Sequence, residues 1–309
     1  MASVGSLLAE ARAALAAAPF GPPPREAHLL LGRVLGRSEA QVLARDGDAV
    51  APAAERAFRA LLARRLAGEP VAYLTGEREF FGRPFRVDPR VLVPRPETEH
   101  LVEVALALER EGRLVPDTRV LDLGTGSGAI AVTLALERPR WQLVAADLSP
   151  AALAVARENA QRFDLLGRRS GRGAPAGRFA LVAADLGSAL RLEAFDLVVS
   201  NPPYIALEEA AALSPEVRDF EPPEALFSPP GPSEGIPGAA GTGIASLLLE
   251  RFGALPERAP MVLEIGQGQL EPLRALAARH GWRVERAVPD LAGIPRVVVL
   301  ERRQVHQGQ

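Results

Sequence analysis

A chain of 309 residues, 48% of them hydrophobic, is long enough for two domains with a sizeable core. Its net charge of -2, from 36 Lys and Arg against 38 Asp and Glu, disfavours a broad basic surface that coats nucleic acid, although a local basic patch stays compatible with it. The absence of cysteine excludes disulfides, thiolate zinc sites and cysteine nucleophiles.

The N-terminal segment lacks the pattern of a secretory signal. MASVGSLLAEARAALAAAPF carries acidic residues and arginine within its apolar pattern instead of a basic start and an uninterrupted apolar stretch. No run of about 18 apolar residues occurs in the sequence. The 4 histidines are scattered without the spacing of metal ligands. We therefore expect a cytoplasmic protein with no membrane segment and no metal site.

The first residues of the chain predict a small helical domain, assigned to 1–75. The segment PPPREAHLLLGRVLG begins with prolines and ends on Gly36, and a later amphipathic helix closes at Gly68. Between them, SEAQVLAR opens with Ser38, a candidate N-cap. A docking module for a partner and a plain structural cap fit these helices equally well.

A β-hairpin is predicted next, in a linker over 76–95. REFFGRPFRV has alternating apolar residues around Gly82 and Arg83, which is typical of a hairpin. In the following segment, VLVPRPETE, the pattern predicts a strand that ends at Pro94. A helix should then begin at Pro96, with acidic residues in its first turn.

The remaining residues, 96–309, predict a parallel α/β sheet, because strand and helix patterns alternate from about residue 117 onward. The loop PDLAGIP joins the last two strands and is too short for a crossover, so these strands should be antiparallel neighbours. The expected fold is a seven-stranded Rossmann-like core with the last strand antiparallel. LGRRSGRGAPAGR and FSPPGPSEGIPGAAGTG predict loops. The strands are expected at TRVLDLG, WQLVAADL, FALVAAD, FDLVVSNPP, PMVLEIG, WRVERAV and RVVVLER.

A glycine-rich turn follows the first strand of this domain, in VLDLGTGSGAIAV. Gly124, Gly126 and Gly128 let the backbone turn tightly and approach a ligand. A dinucleotide site requires G-x-G-x-x-G and places a pyrophosphate at the helix N-terminus. Here the spacing is G-x-G-x-G, and the strand ends on Asp122, whose carboxylate would repel a pyrophosphate. An acid suits a ligand with an amino group, such as S-adenosylmethionine.

Two further acids end the next two strands. Asp147 can accept hydrogen bonds from both ribose hydroxyls of an adenosine, and Asp185 can accept one from the adenine amino group. The carboxyl ends of parallel strands meet at one edge, so we expect both acids, Asp122 and the glycine turn to face one crevice. Together these features predict an adenosylmethionine site.

The fourth strand ends on Asn201-Pro202-Pro203-Tyr204. A nitrogen bonded to a carbonyl or an aromatic ring has a delocalised lone pair, so its attack on a sulfonium methyl requires positioning. The side-chain oxygen of Asn201 and the carbonyl of Pro202, stiffened by two prolines, can accept the two N–H bonds of a planar amino group. Tyr204 can pack on that group. The segment therefore predicts the catalytic site, for either a glutamine amide or an exocyclic base amine.

Five segments of the chain resemble, in order, the bacterial peptide chain release factor N5-glutamine methyltransferases. The resemblance covers essentially the whole chain, and the Pro-Arg-Pro-Glu segment is its most specific part. It implies a class I methyltransferase core and S-adenosyl-L-methionine as donor, with S-adenosyl-L-homocysteine as product. It also implies class I peptide chain release factors as partners, with no direct nucleic-acid partner and the Gly-Gly-Gln glutamine as acceptor. The segments are GEPVAYLTGEREFFGRPFRVDPRVLVPRPETE, VLDLGTGSGAIAV, VVSNPPYI, VRDFEPPEALF and DLAGIPRVV.

The resemblance also implies roles for particular residues. Residues 201–204 would hold the substrate glutamine, with Asn201, Pro202 and Tyr204 catalytic. The family often has an aromatic residue after the acid that ends the third strand, so Leu186 implies an aliphatic contact with adenine. Arg95 and Glu97 would lie beside the substrate channel or form a capped helix start with a surface pair. The implied donor-binding residues are Gly124, Thr125, Gly126, Ser127, Gly128, Asp147, Asp185, Leu186 and Asn201.

Four alternatives stay open at this point. A methyltransferase for a glutamine of a ribosomal protein would use the same chemistry. An enzyme for adenine or guanine amino groups would need a basic channel and stacking aromatics, which the net charge of -2 and the 5% aromatic content disfavour. A nicotinamide-dependent oxidoreductase is disfavoured by Asp122 and by the glycine spacing. A non-catalytic docking protein is disfavoured by the intact Asn-Pro-Pro-Tyr segment.

Overall fold

The computed structural model describes residues 1–18, 23–166, 178–188, 190–231 and 236–303. They divide into two compact units. One contains Met1–Glu77 and Leu213–Phe220, and the other contains Arg78–Ala212 and the residues from Glu221 onward. The two predicted loops lie partly outside the described residues, over 167–177 and 232–235. None of the described helices has the length and apolar character needed to cross a membrane.

The helices are α1 (Val4–Ala16), α2 (Pro23–Leu35), α3 (Glu39–Leu43), α4 (Pro52–Leu66), α5 (Val71–Thr75), α6 (Glu99–Arg110), α7 (Ala129–Glu137), α8 (Pro150–Arg162), α9 (Pro215–Arg218), α10 (Pro223–Leu226), α11 (Gly243–Arg251) and α12 (Leu270–Arg279). The strands are β1 (Glu77–Phe80), β2 (Arg83–Arg86), β3 (Arg119–Leu123), β4 (Gln142–Asp147), β5 (Phe179–Ala183), β6 (Leu197–Ser200), β7 (Met261–Glu264), β8 (Trp282–Pro289) and β9 (Pro295–Arg302). A 3₁₀ turn, Pro96–Thr98, precedes α6.

The first unit is a helical bundle whose core is contributed by α1 to α5. The predicted N-cap is confirmed, because the Ser38 hydroxyl accepts a hydrogen bond from the backbone N–H of Gln41. Arg65 of α4 is 1% exposed, and its guanidinium contacts Glu26 of α2 at 2.8 and 3.0 Å and Glu216 of α9 at 2.9 Å. The buried cation therefore ties the returning segment, residues 213–220, into the helical unit.

The second unit contains a seven-stranded sheet with the order β5-β4-β3-β6-β7-β9-β8. Its neighbours are parallel except at β9, which runs antiparallel to both β7 and β8. This order confirms the predicted seven-stranded core with an antiparallel last strand. The strand order reverses between β3 and β6, and a crevice for a ligand is expected at such a switch point.

Side chains of each strand alternate between two hydrophobic clusters, one on each face of the sheet. On β6, Leu197 and Val199 belong to the cluster packed under α6, α7 and α8, whereas Val198 belongs to the cluster packed under α11 and α12. The residues of β6 and β7 are all buried, because helices cover both faces there. The carboxyl ends of the central strands are thus held on a rigid three-layer frame.

The predicted hairpin is confirmed with its turn one residue earlier, and one predicted strand is absent. The hairpin turns at Phe81 and Gly82, with φ angles of 51° and 69°, so Arg83 already belongs to β2. The left-handed conformation at both positions is the turn that matches the twist of a two-residue hairpin. The strand predicted to end at Pro94 is absent, because residues 91–94 belong to no strand of the structure, although Val91 and Val93 are buried. The helix predicted at Pro96 begins there as the 3₁₀ turn.

Candidate active site

A cavity of about 480 Å³ lies at the carboxyl ends of β3, β4, β5 and β6. Its volume is in the range of small-molecule sites, and most of its lining is apolar, as such sites usually are. Eight of the residues predicted to bind the donor or the substrate line it together. They are Gly124, Gly126, Asp147, Asp185, Leu186, Asn201, Pro202 and Pro203. Thr125, Ser127, Gly128 and Tyr204 do not line it.

The glycine turn presents only part of its backbone to the cavity. Gly124 and Gly126 have φ angles of 67° and 54°, and a Cβ built on either would meet no protein atom within 4 Å. Thr125 and Ser127 are buried instead. The Thr125 N–H donates to the carbonyl of Ala146 at 3.0 Å, which attaches the turn to β4. The turn therefore leaves open space for a ligand beside Gly124 and Gly126.

Asn159 supports this turn from α8, and no sequence motif pointed to it. The side chain is fully buried. Its Nδ2 donates to the carbonyls of Ser127 at 2.8 Å and Arg86 at 3.0 Å, and its Oδ1 accepts from the Arg86 N–H at 2.7 Å. Both N–H bonds of the amide and one lone pair of its oxygen therefore tie the glycine turn to β2.

Asp122 lies in the interior and does not line the cavity, contrary to the expectation that it faces the crevice. Its Oδ2 accepts hydrogen bonds from the Thr125 hydroxyl at 2.6 Å and from the Ala131 N–H at 3.2 Å, so it braces the turn and the start of α7. Its Oδ1 is buried without a hydrogen-bond partner. Burial, with a smaller contribution from the negative charge of Asp147, raises the pKa of Asp122 to about 7.

Asp147 ends β4 and lines the cavity. Its Oδ2 accepts from the Gly126 N–H at 2.8 Å and its Oδ1 from the Ser149 N–H at 2.9 Å. Burial raises the pKa of Asp147, and the backbone N–H groups that bond to it oppose this rise. A carboxylate has further lone pairs for two adjacent hydroxyls, so the geometry fits a ribose diol. Beside it, the side chain of Leu148 lines the cavity and is 69% exposed.

The wall after β5 is formed by Ala184, Asp185 and Leu186. Leu186 has a φ angle of 43°, a left-handed conformation that is uncommon for a residue with a side chain. The strained backbone places this aliphatic side chain on the cavity wall while it also packs against the cluster under α11 and α12. The arrangement fits an aliphatic contact with a flat ligand.

Residues 201–204 leave β6 beside the glycine turn. The hydroxyl of Ser200 donates to the carbonyl of Leu123 at 2.8 Å, so the ends of β6 and β3 are joined. Tyr204 turns away from the cavity and is half-buried. Its carbonyl accepts from Gln269 Nε2 at 2.8 Å, and its hydroxyl lies 3.5 Å from Oε1 of Glu264, to which it donates. The segment is thus held at its backbone and through its tyrosine.

Behind Asn201 lies a buried polar network. Asn201 Nδ2 donates to the hydroxyl of Thr98 at 3.1 Å, and this hydroxyl donates to Oε2 of Glu264 at 2.7 Å. Glu264 is 2% exposed, and burial raises its pKa to about 7, against the opposing hydrogen bond from Thr98. Burial also raises the pKa of Tyr204, and the neighbouring Glu264 raises it further. Thr98, Glu264 and Gln269 were not identified from sequence, because single polar residues have no motif of their own.

Neither Arg95 nor Glu97 lines the cavity. Arg95 instead contacts both carboxylate oxygens of Glu221, at 2.7 and 2.8 Å, and the Glu221 side chain is 2% exposed. Glu221 precedes Pro222, which does line the cavity. Among the described residues, no cluster of three or more His, Asp or Glu side chains could hold a metal ion.

Comparisons with known proteins extend over nearly the whole chain. Residues 6–76 match the PrmC N-terminal domain family, and residues 104–214 match the methyltransferase small domain family. The release factor glutamine methyltransferase of Bordetella pertussis is 46% identical over 281 residues, which cover 90% of this chain and 94% of that protein. The protein of the same name from Nitratidesulfovibrio vulgaris is 38% identical and covers 97% and 96%.

One solved structure supports the fold. The hMettl16 catalytic domain, in complex with the MAT2A 3′UTR hairpin 6, superposes with a TM-score of 0.50 at 17% identity, over 79% of this chain and 83% of that one. At this identity the similarity concerns the fold alone.

Proposed function

This chain belongs to the release factor glutamine methyltransferase family, and we propose that it transfers a methyl group from S-adenosylmethionine to the side-chain nitrogen N5 of a glutamine. The proposed acceptor is the glutamine of the Gly-Gly-Gln loop of class I peptide chain release factors. The observation that carries the proposal is that Asn201 and Pro202 line the same cavity as Gly124, Gly126 and Asp147. Groups suited to an adenosine and acceptors suited to an amide thus converge on one space.

We propose that the glycine-turn side of the cavity binds the donor. Asp147 would accept hydrogen bonds from the ribose hydroxyls, and Asp185 one from the adenine amino group. Leu148 and Leu186 would contact the faces of the base. Gly124 and Gly126 would allow close approach, while Thr125, Ser127 and Gly128 maintain the shape of the turn. When bound, S-adenosylmethionine supplies an electrophilic methyl group on its sulfonium sulfur.

The acceptor amide is proposed to bind at residues 201–204. Asn201 Oδ1 and the Pro202 carbonyl would accept its two N–H bonds and direct the nitrogen lone pair at the methyl carbon. The new N–C bond forms as the C–S bond breaks. The electron pair of the C–S bond stays on sulfur, which gives S-adenosylhomocysteine. The surplus proton leaves the nitrogen after transfer, so no strong base is required. Tyr204 would hold the segment in place through its hydrogen bond to Glu264.

The partners follow from the same proposal. Class I release factors act in translation, so we propose that the protein works in the cytoplasm, and the lack of cysteine is compatible with that compartment. Residues 1–75 would dock the release factor, and residues 96–309 would form the methyltransferase domain after the hairpin linker, 76–95. The net charge of -2 supports a protein acceptor over direct binding to nucleic acid.

The test uses labelled S-adenosylmethionine with four acceptors in parallel. These are a class I release factor, the same factor with its Gly-Gly-Gln glutamine replaced by alanine, a ribosomal protein fraction and duplex DNA. We expect label on the unmodified release factor only. Label on the ribosomal fraction would support the ribosomal-protein alternative, and label on DNA would support an exocyclic base amine as the acceptor. Equal labelling of both release factors would overturn the proposed position.

A further inference from the structure

We propose that Thr98 and Glu264 are positioning residues that determine which end of the Asn201 side-chain amide faces the acceptor. The inference rests on the proposed function, because it concerns how the acceptor nitrogen is held. Neither residue lines the cavity, so both act through Asn201. They are the 3₁₀ turn's last residue and the last residue of β7.

The polarity of the network runs in one direction. The hydroxyl of Thr98 has one proton, and this proton goes to the carboxylate of Glu264 at 2.7 Å. The hydroxyl oxygen can then only accept from Asn201, and the amide nitrogen at 3.1 Å is the donor that satisfies it. Across the described residues, no protein donor forms a hydrogen bond with Asn201 Oδ1. That oxygen therefore stays available on the side of the cavity.

The orientation of the Asn201 amide matters because the group that accepts the methyl is itself a hydrogen-bond donor. The NH₂ group of a glutamine amide has two N–H bonds and a delocalised lone pair, so it needs acceptors around it. If the Asn201 amide were rotated by half a turn, its own NH₂ group would face the substrate NH₂ group. Two donors would then oppose each other, and the lone pair would not be directed at the methyl carbon. The fixed orientation removes this unproductive state.

The hydroxyl of Thr98 does not serve as a helix cap, although Thr98 stands at the N-cap position. It precedes α6 and is the N-cap residue of that helix, yet its side chain makes no capping hydrogen bond. It is 5% exposed and gives its proton to a carboxylate that lies 166 residues further along the chain. A buried carboxylate is costly unless its hydrogen bonds compensate for it. These two features point to a role in orientation rather than in capping.

The same carboxylate also supports the other end of the segment. Glu264 Oε1 accepts from the hydroxyl of Tyr204 at 3.5 Å. Gln269 reinforces the backbone there, because its Nε2 donates to the carbonyl of Tyr204 at 2.8 Å and to that of Ala240 at 3.1 Å. One buried acid thus accepts from Tyr204 directly and acts on Asn201 through Thr98.

The ionisation of Glu264 gives the network a dependence on pH. The titratable or charged groups that face it are Glu97, Arg296 and Tyr204, from the 3₁₀ turn, β9 and the segment after β6. Burial is the largest influence and raises its pKa to about 7. Below that pH a protonated Glu264 can donate to Thr98, whose proton is then free to reach Asn201 Oδ1. We therefore expect the transfer rate to rise as the pH increases through about 7.

The first experiment measures single-turnover methyl transfer from saturating S-adenosylmethionine to the release factor. Thr98→Val is expected to lower this rate by about 10- to 100-fold, because Asn201 loses its acceptor. Thr98→Ser, which keeps the hydroxyl, is expected to stay within about threefold of the unmodified enzyme. Thr133→Val is the matched control, since the Thr133 hydroxyl is fully buried without a hydrogen-bond partner. It should leave the rate unchanged.

Equal rates for Thr98→Val and the unmodified enzyme would overturn the inference, as would equal losses for Thr98→Val and Thr98→Ser. The second experiment covers the case in which Thr98→Val does not fold. In Glu264→Gln the amide oxygen can still accept from Thr98 but cannot be protonated in this range, so the rise of the rate near pH 7 should disappear. A rise that persists in this variant would also overturn it. If the unmodified enzyme transfers no methyl to the release factor, the proposed function itself fails.

Discussion

The donor side of the cavity, residues 124–128 with Asp147, and its acceptor side, residues 201–204, are built by different means. On the donor side the shape comes from backbone conformation, and its hydrogen bonds connect residues 3 to 32 positions apart. On the acceptor side the shape comes from buried side chains, and the bonds of Asn201 and Tyr204 span 103, 60 and 65 positions. Binding of the donor can thus be specified locally, whereas orientation of the acceptor depends on distant elements.

The largest effect should come from the acceptor side. Asn201→Ala removes the proposed acceptor of the substrate N–H, and we expect single-turnover methyl transfer to fall about 10³-fold. The dissociation constant for S-adenosylmethionine, measured by calorimetry, should change much less, because the donor-side residues are intact. Unchanged turnover would remove Asn201 from the mechanism, and equal losses of turnover and donor affinity would erase the distinction between the two sides.

A substitution on the donor side should instead weaken the binding of S-adenosylmethionine. Asp147→Asn loses the charge and one of the two oxygens that accept from Gly126, Ser149 and the proposed ribose hydroxyls. We expect the dissociation constant for S-adenosylmethionine to rise about 10- to 100-fold, by the usual strength of hydrogen bonds to a charged group. Asp117→Asn is the control, since Asp117 lies on the surface beside Arg140. If calorimetry gave both variants the affinity of the unmodified protein, Asp147 would have no part in binding the donor.

Substitutions at two glycines of the donor-side turn should affect protein stability and donor affinity to different degrees. Gly126→Ala and Gly128→Ala both place a Cβ at a left-handed φ, 54° and 81°, which costs about 1 kcal/mol in the free energy of unfolding. At Gly128 the added Cβ would also lie 3.2 Å from the Cβ of Ala156, so this variant should lose more stability in urea denaturation. At Gly126 the Cβ meets open space, so donor affinity should suffer more. The reverse ranking would contradict the geometry of the turn.

The last prediction concerns the dependence of stability on pH. The pKa of Asp122 is about 7 in the folded protein and near its ordinary value of 3.8 when unfolded, so the folded state binds more protons between these pH values. The free energy of unfolding of the ligand-free protein should therefore decrease as the pH rises from 4 to 7. Asp122→Asn should weaken this decrease. Part of the decrease should remain in this variant, because the pKa of Glu264 is also raised in the folded protein.

Urea denaturation at several pH values measures this dependence. The control is Asp117→Asn, whose parent residue has a pKa lowered mainly by its hydrogen bonds with Arg140. Its contribution to stability is present above the unfolded pKa and is lost as the pH falls below about 4. Its removal should therefore leave the decrease between pH 4 and 7 unchanged and alter the pH dependence only below that range, in the opposite direction. An identical pH dependence for Asp122→Asn and the unmodified protein would indicate that Asp122 stays ionised.

Local patterns in the sequence were enough to predict the frame and most of the cavity wall. Alternating strands and helices predicted the seven-stranded sheet, because each strand is a short apolar or alternating run that its own residues display. The short loop before β9 predicted the antiparallel strand. The glycine turn, Asp147 and Asn201 could be identified because each lies at the end of a strand or directly after it, and parallel strands place such residues at one edge.

The directions in which polar side chains point depend instead on how distant elements pack. Asp122 ends in the interior rather than in the cavity, because the turn that follows it offers the Thr125 hydroxyl and the Ala131 N–H as donors. Thr98 and Glu264 meet behind Asn201 although 166 residues separate them. A single polar residue carries no periodicity, and its partner depends on how β6, β7 and the turn before α6 pack. The motifs of the site are therefore local in the sequence, whereas the orientation of its polar side chains depends on residues far apart in the sequence.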